Sequence, residues 1–283
     1  MENKQILSVI VPIHNGEKYL EKLVKKLKKQ EGNFILELIA LVSLSKDESL
    51  NKSKELFDKV LEIKNFNHAK TRHDGALIAS GDVLIFITQD IFPFDNYWLN
   101  NLIQPLNDDI IASFSKQIAY KDHSEIEKII RNFNYPDKDR ICNNENKNLN
   151  GRRNIFYSDA SSAILKNEFF KLGGYNFEVP TCEDVYLAHK IIDSGKSFIY
   201  ISKSVILHSH KLSIIKTYKR YKEIGMFEKM FKNKIDFSKT ESEGIKILFY
   251  LMKTLIKKFK FRELLYLPFD FGARWIGYRV GKI

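Results

Sequence analysis

Four short stretches of the sequence carry side chains that can do chemistry. Thr88-Gln89-Asp90 directly follows the apolar run 83–87. A carboxylate at the end of a buried strand is placed to hold a divalent cation, because hard cations take oxygen ligands and bridge readily to a diphosphate. A simple turn cap is the plainer role for one Asp there. Glu183-Asp184 precedes a helical pattern over 185–192. The helix dipole favours acids at that end, so capping accounts for the pair as well. Neighbouring carboxylates also raise one another's pKa, which suits one of them to accept a hydroxyl proton. His208-Ser209-His210 follows the apolar triplet 205–207. Residues i and i+2 share a side of an extended chain, and a neutral imidazole nitrogen can ligate a metal. A purely structural pair is the ordinary alternative. His68 and Arg72 lie one helical turn apart, where Arg72 can pair with phosphate oxygens or with a surface carboxylate.

Some chemistries lack their motif. There is no GxxxxGK[ST] and no GxGxxG, so P-loop and dinucleotide readings have no support. Cys182 has no basic neighbour in sequence to activate it, and a thiol nucleophile is not expected.

The elements that must position these groups follow from periodicity. Residues 6–11 are β-branched and apolar and predict a buried parallel strand, followed by a turn at His14-Asn15-Gly16. Tyr19, Leu20, Leu23, Val24 and Leu27 recur at helical spacing. A second strand is expected over 35–42. Ser45-Lys46-Asp47 then caps a helix holding Leu56, Phe57 and Val60. A third helix over 69–79 stops at Ser80-Gly81, and 83–87 is a strand. This alternation predicts a doubly wound α/β sheet, whose ligands bind beyond the carboxyl ends of its strands. Further on, the pattern predicts a helix over 98–106 and a strand over 110–119. The Asn-rich segment 134–153 reads as a mobile loop. A strand over 155–165, a helix over 166–172 and short strands at 198–201 and 205–207 complete the body. The residues beyond Lys211 read as helical.

Composition narrows the function classes. Apolar residues make up 44% of the 283 and charged residues 29%, which is globular usage. Two cysteines cannot form a disulfide framework, and a reducing cytoplasm is expected. No basic stretch followed by an apolar one opens the chain, so no signal peptide is expected. No run of 18 apolar residues predicts a membrane span. The net charge of +11 is carried by 211–283, with 18 basic and 7 acidic residues, while 1–210 is neutral. A neutral body with a basic attachment surface follows. Within that tail, Ile245, Leu248, Phe249, Met252, Leu255, Ile256 and Phe259 form a helical stripe with Lys246, Lys253, Lys257 and Lys258 largely off it. Phe269, Phe271, Trp275 and Tyr278 follow, mixed with Arg274, Arg279 and Lys282. Such a helix can lie in an anionic membrane interface, or pack its stripe on the body or on a second subunit. A nucleic-acid binder would explain the tail but neither the neutral body nor the acidic pair, so no nucleic acid is expected.

In their order and spacing these pieces resemble family 2 glycosyltransferases, which have the GT-A fold. The opening Ser8-Val9-Ile10-Val11-Pro12-Ile13-His14-Asn15-Gly16 matches the family's first strand and turn. Phe86-Ile87-Thr88-Gln89-Asp90, Asn67-His68-Ala69-Lys70-Thr71-Arg72, Phe133-Asn134-Tyr135-Pro136, Cys182-Glu183-Asp184-Val185, His208-Ser209-His210 and Lys219-Arg220-Tyr221 resemble its bacterial rhamnosyltransferase branch. The resemblance spans roughly residues 6 to 225. It implies a Rossmann-like mixed sheet over 1–210, with a nucleotide-sugar half at 1–90 and an acceptor half at 91–210. A basic helical extension would occupy 211–283.

Carried over position by position, it implies Asp90 as metal ligand, assisted by His208 rather than His210, with Mg²⁺ or Mn²⁺ as cofactor. Asp184, within the Glu183-Asp184 motif, would be the catalytic base. Pro12, His14, Glu17, Asp47, Arg72, Thr88 and Gln89 would line the donor site, with Arg72 facing the diphosphate. Two positions depart from the family: Thr88 replaces an Asp that touches the ribose, and Val42 stands where an Asp contacts the base. The implied activity is inverting transfer of a sugar, with L-rhamnose from dTDP-rhamnose as first choice. The acceptor would be a glycan or lipid-linked glycan of cell-surface polysaccharide synthesis. The implied location is the inner face of the cell membrane, and homo-oligomer formation stays open. A catalytically silent GT-A scaffold or a membrane-associated binding protein is the alternative, given Thr88 and Val42. A sugar-nucleotide pyrophosphorylase lacks its Gly-rich loop here.

Overall fold

A computed structural model describes residues 4–283. The first half alternates strands and helices: β1 (Gln5–Ile13), α1 (Glu17–Leu27), β2 (Phe34–Ser43), α2 (Ser49–Leu56), β3 (Lys59–Ile63), α3 (His68–Ile78) and β4 (Val83–Ile87). The middle holds β5 (Phe92–Pro93), α4 (Trp98–Ile103), β6 (Ile110–Ile118), α5 (Glu125–Asn134), β7 (Arg140–Cys142) and the single turn α6 (Lys147–Asn150). Then come β8 (Ser161–Leu165), α7 (Lys166–Lys171), α8 (Glu183–Asp193) and β9 (Ser197–Leu207). The tail is three helices, α9 (Ile214–Phe231), α10 (Thr240–Lys257) and α11 (Phe261–Lys282).

The strands form one mixed sheet in the order β3-β2-β1-β4-β8-β6-β9-β5, with β7 also pairing β9. β1 to β4 run parallel, β8 runs antiparallel to both β4 and β6, and β9 runs parallel to β6. The carboxyl ends of β1, β4, β6 and β9 and the amino end of β8 therefore share one edge. Every chemistry-bearing stretch of the sequence, the start of α3 at His68 included, leaves a strand or enters a helix at that edge.

Period-two alternation splits the core. Leu7, Val9 and Val11 of β1 and Val83, Ile85 and Ile87 of β4 pack on α1 and α4. Ile10, Leu84 and Phe86 point to the opposite face, against α3, α7 and α8. These strands are buried on both faces, which is why they read as unbroken apolar runs.

Several expectations need correction. The helix of 49–60 ends at Leu56, because Phe57 is extended and Asp58 ties its backbone and carboxylate to Leu38. Val60 then belongs to β3. The 134–153 segment is ordered: it contains β7 and two helical turns, held by asparagine amides that donate to Ile192, Ile141 and Asn143 carbonyls. High Asn content there supplies local backbone partners rather than mobility. The strand expected from 155 begins only at Ser161, and the two strands at 198–207 are one. The helix α5 was not anticipated, although Ser124 caps it by accepting from the Glu127 backbone N–H.

The tail packs on the body through α9, whose Phe227 and Phe231 join the main core beside Tyr186, through α5, and on itself. Ile126, Ile129 and Ile130 of α5 meet Leu251 and Leu255 of α10 and Leu267 of α11. Helices α9 and α11 approach backbone to backbone. A methyl group on Gly225 would strike the Tyr278 carbonyl, on Gly277 the Tyr218 carbonyl, and on Gly281 the Lys222 carbonyl. A side chain larger than hydrogen must push α11 away, since no rotamer relieves a clash between Cβ and backbone. Replacing Gly277→Leu should cost about 1–3 kcal/mol in urea denaturation and open α11 to trypsin; a variant with the wild-type midpoint and cleavage pattern would refute this packing.

Candidate functional site

Two clusters of charged side chains meet at the shared edge. In the first, Asp90 leaves β4, while His208 and His210 leave β9. The Asp90 carboxylate oxygens lie 3.8 Å from His208 Nε2 and 3.6 Å from His210 Nδ1. One ligand atom from each residue fits within 4.8 Å of the others. Gln117, from β6, fixes the geometry. Its Oε1 lies 2.8 Å from His208 Nδ1 and also accepts from Arg131, so Nδ1 carries the proton and Nε2 keeps its lone pair. That Nε2 is buried and has no hydrogen-bond partner. Burial, then the nearby Arg131 charge, hold His208 well below the ordinary imidazole range. Burial and Arg220 lower His210 as well. Two neutral imidazoles and one carboxylate around an orphaned lone pair fit a divalent cation such as Mn²⁺. His208 was the expected histidine; His210 stands as close to Asp90.

The second cluster gathers carboxylates around one guanidinium. Arg72 is 3% exposed, and its Nη1 donates to Glu183 Oε1 at 2.7 Å. Its Nε lies 3.8 Å from Asp159 Oδ2. Arg72 was expected to face a diphosphate, and Glu183 to share the chemistry; the structure pairs them with each other. Asp159 also accepts from Ser162 and from the Tyr175 hydroxyl at 2.5 Å. Burial raises Asp159 to about 6, Arg72 opposing and Glu183 adding to the effect. Asp184 is held only by backbone N–H groups, from Val185 at 2.8 Å and Asp159 at 3.4 Å. Burial, then the charges of Glu183 and Asp159, raise its carboxyl well above the ordinary range. Cys182, just before it, adopts a left-handed backbone at φ 64°, a strained conformation for a residue with a side chain. Its thiol is pushed up by burial first and then by the adjacent carboxylates, so it stays protonated.

A bridge joins the two clusters. Gln117 Nε2 donates to Ser158 Oγ at 2.9 Å, and Ser158 adjoins the Asp159 N–H that reaches Asp184.

The remaining expected residues cluster where β1 and β2 end. Pro12 lies within β1, and His14 follows it, exposed, with Nδ1 3.1 Å from Ser43 Oγ. Gln89 makes two bonds to the His14 backbone, at 2.9 and 3.0 Å, so its amide locks the turn. Asp47 accepts from the Glu17 and Ser49 backbone N–H groups and from Ser49 Oγ, linking α1 to α2. Glu17 accepts from the Glu48 N–H and pairs with Lys52. Thr88 Oγ is buried and has no hydrogen-bond partner. Val42 is buried within β2 and offers no polar contact.

The sequence reading missed Asp159, Tyr175 and Gln117. Asp159 had no clear signal, because it fell inside the strand expected over 155–165. Gln117 had none, because its role depends on β6 pairing with β9.

Comparison with known proteins places this arrangement. The sequence model of the family described as "Glycosyl transferase family 2" matches residues 8–173. The O-antigen chain rhamnosyltransferase RfbN of Salmonella typhimurium (strain LT2) is 28% identical over 285 residues, covering 98% of this chain and 89% of that protein. The O-antigen chain rhamnosyltransferase WbaN of Salmonella anatum is 27% identical, covering 97% and 89%. Among solved structures, the mannosyltransferase PcManGT from Pyrobaculum calidifontis, in complex with GDP-Man and Mn²⁺, aligns with TM-score 0.64 at 13% identity over 99% of this chain and 86% of that one. S. aureus TarS 1-349 in complex with UDP-GlcNAc aligns with TM-score 0.59 at 14% identity, over 98% and 90%. The shared architecture is the GT-A fold, with a helical region following it.

The carboxylate cluster is testable without substrate. In a ¹³C-detected titration the Asp184 carboxyl should have its midpoint well above the ordinary value of about 4. Asp159→Asn removes a neighbouring negative charge, so the midpoint should move down, and the ionised form should appear at lower pH. An Asp184 midpoint near the ordinary value in the native protein would contradict the cluster's electrostatics.

Proposed function

The chain belongs to glycosyl transferase family 2, and on that basis we propose that it inverts configuration while moving a sugar from a nucleotide donor to a glycan hydroxyl. The observation that carries this reading is the pair of bridged clusters at one sheet edge, a three-residue ligand set beside a carboxyl of raised pKa.

In this mechanism Asp184 is the base. The acceptor hydroxyl gives its proton to the Asp184 carboxylate and attacks the anomeric carbon from the face opposite the diphosphate. A carboxyl raised in pKa takes that proton more readily than an ordinary one, provided the pH keeps it ionised. Glu183 stays paired with Arg72 and holds the start of α8 in place. Asp90, His208 and His210 would hold a divalent cation, which would neutralise the charge growing on the diphosphate. His14, Glu17, Asp47, Thr88 and Gln89, with Pro12, shape the nucleotide end of the cleft. There Gln89, Asp47 and Glu17 act by bracing the loops, and His14 offers the exposed ring.

The names of the two Salmonella relatives support rhamnose as the sugar and a polysaccharide chain as the acceptor; L-rhamnose from dTDP-rhamnose and a lipid-linked glycan are what the family resemblance implies. The tail supports a location on the inner face of the cell membrane. No helix among the described residues is long and apolar enough to cross a membrane. The predicted stripe divides instead: Leu255, with Leu251, packs on α5, while Ile245, Phe249, Met252 and Ile256 face solvent. On α11, Phe261, Leu265, Phe269 and Ile276 are exposed at helical spacing, with Trp275 beside them. Phe249 and Phe269 are each 65% exposed and Leu265 77%. Lys246, Lys253, Lys257, Lys260 and Arg262 are exposed on the same stretch of chain. An exposed apolar face on a strongly basic tail matches an anionic lipid surface.

Asp184→Asn should lower kcat by about 10³-fold and leave donor affinity unchanged. Asp90→Ala should lose Mn²⁺-dependent donor binding, read by calorimetry with dTDP-rhamnose. Full turnover in the Asp184 variant would remove the base, and absence of donor binding and transfer from the native protein would leave the scaffold reading. Native protein should also sediment with vesicles containing phosphatidylglycerol. The double substitution of Phe249→Glu and Phe269→Glu should abolish this, and equal sedimentation of both proteins would exclude the exposed face as the contact.

A further inference from the structure

We propose that the cavity between His210 and the tail helix α11 binds a neutral sugar unit of the acceptor glycan. The inference rests on the transferase reading above and gives its second substrate a place. The cavity measures about 430 Å³, within the span of about 300–1,000 Å³ usual for small-molecule sites. Helix α5 contributes Glu127 to its wall, α9 contributes Thr217, and α11 contributes Tyr266, Asp270 and Arg274. His210 joins them and ties the cavity to the chemistry. Its Nδ1 lies 3.6 Å from Asp90, so a molecule in the cavity borders the ligand set.

Spacing and packing present the tail residues. Tyr266, Asp270 and Arg274 recur every four residues and share one face of α11. Leu267, the residue after Tyr266, packs on α5 and fixes the rotation of the helix. Asp270 is 7% exposed. Arg274 donates to its Oδ2 at 2.6 Å and to the Tyr221 hydroxyl at 2.7 Å. Among the described residues Asp270 Oδ1 has no hydrogen-bond partner. A nearly buried carboxylate oxygen left free at a cavity wall calls for a donor from a ligand.

Charge selects the ligand's class. Both cations of the wall are already taken: Lys211 pairs with Asp122, and Arg274 with Asp270. Glu127 is a third carboxylate, paired with Arg131. A phosphate would find no free cation here and three acids close by. A neutral sugar meets neither obstacle. Its hydroxyls donate to carboxylate oxygens such as Asp270 Oδ1, and its C–H face can lie on the Tyr266 ring. Two observations favour the acceptor's sugar over the donor's. Thr217, Tyr266, Asp270 and Arg274 all lie outside the stretch 8–173 that the family model matches, so this wall belongs to what distinguishes the chain. Tyr266 also neighbours the exposed apolar face of α11, with Leu265 before it and Phe269 three residues on. A glycan carried on a lipid at that face reaches the cavity across one helix, a width of about 10 Å.

The test reads binding by the full-length protein. Ligand-detected NMR would follow methyl glycosides of rhamnose, mannose, galactose and N-acetylglucosamine. The proteins are the native chain, Tyr266→Ala, Tyr266→Phe, Asp270→Asn and, as control, Ala at the exposed Tyr97. Calorimetry with dTDP-rhamnose, UDP-galactose and GDP-mannose plus Mn²⁺ would read the donor site in the same proteins. At least one glycoside should bind native protein and stay bound when a nucleotide sugar is added. Tyr266→Ala and Asp270→Asn should each weaken it about tenfold. Tyr266→Phe should keep most of the affinity, the control all of it, and nucleotide-sugar binding should be unchanged throughout. Should Asp270→Asn fail to fold, the exposed Tyr266 carries the test. Equal glycoside binding by native protein and Tyr266→Ala overturns the cavity, as does no glycoside binding where a nucleotide sugar binds; both leave the transferase reading standing. Displacement of the glycoside by a nucleotide sugar overturns the acceptor assignment in favour of the donor's sugar. Absence of nucleotide-sugar binding removes the acceptor role and the transferase reading together.

Discussion

A single buried guanidinium serves a crowd of carboxylates, and that shortage sets the roles of the acids around it. Arg72 neutralises Glu183 at 2.7 Å and reaches Asp159 only at 3.8 Å, leaving Asp184 with backbone N–H groups alone. Adjacent residues in the chain thus have opposite fates. Glu183 is anchored, and removing its partner would cost about 3–5 kcal/mol by stranding a buried charge. Asp184 is crowded by like charge and desolvated, which raises its affinity for a proton. Environment alone thus separates two neighbouring acids, one paired and one with a raised affinity for protons. The left-handed backbone at Cys182, just before the pair, carries a conformational cost that the anchored Glu183 can offset.

The other half of the site depends on a hydrogen bond rather than an ion pair. A histidine has two nitrogens, and only the partner of one decides what the other can do. Gln117, pinned by Arg131, accepts a hydrogen bond from the Nδ1–H of His208 and leaves a bare Nε2 facing Asp90. Arg131 sits on α5, whose opposite face, Ile126, Ile129 and Ile130, carries α10 and α11. The basic tail is therefore packed against the helix that orients the ligand set. Its exposed apolar face and its buried one lie side by side on α10, so attachment to a surface and attachment to the body need not compete.

Much of this was legible before any coordinates. Unbroken apolar runs identified β1, β2 and β4 because strands covered on both faces cannot alternate. Asp90 and His208 stood out because each follows an apolar strand, and Asp184 because it opens a helix; the roles proposed for them came from the family resemblance. The misreadings have physical causes too. The 134–153 segment looked mobile because polar side chains in sequence give no sign of which backbone groups they satisfy. Residues 56–60 kept a helical spacing of apolar groups, yet the Asp58 bonds to Leu38 pull that stretch into the sheet.

The amino-acid sequence by itself determined the fold class, the family, the acids and imidazoles available for chemistry, and the concentration of positive charge on the tail. These are properties of residue type and local period, and they survive without distances. Only the tertiary structure decided that Arg72 pairs with Glu183, that Asp159 joins the carboxylate cluster and Gln117 holds His208, that His210 stands beside His208, and which part of the tail's apolar stripe is buried. Charge pairing and burial depend on which segments fold against each other across a hundred residues of chain, and no local pattern encodes that proximity.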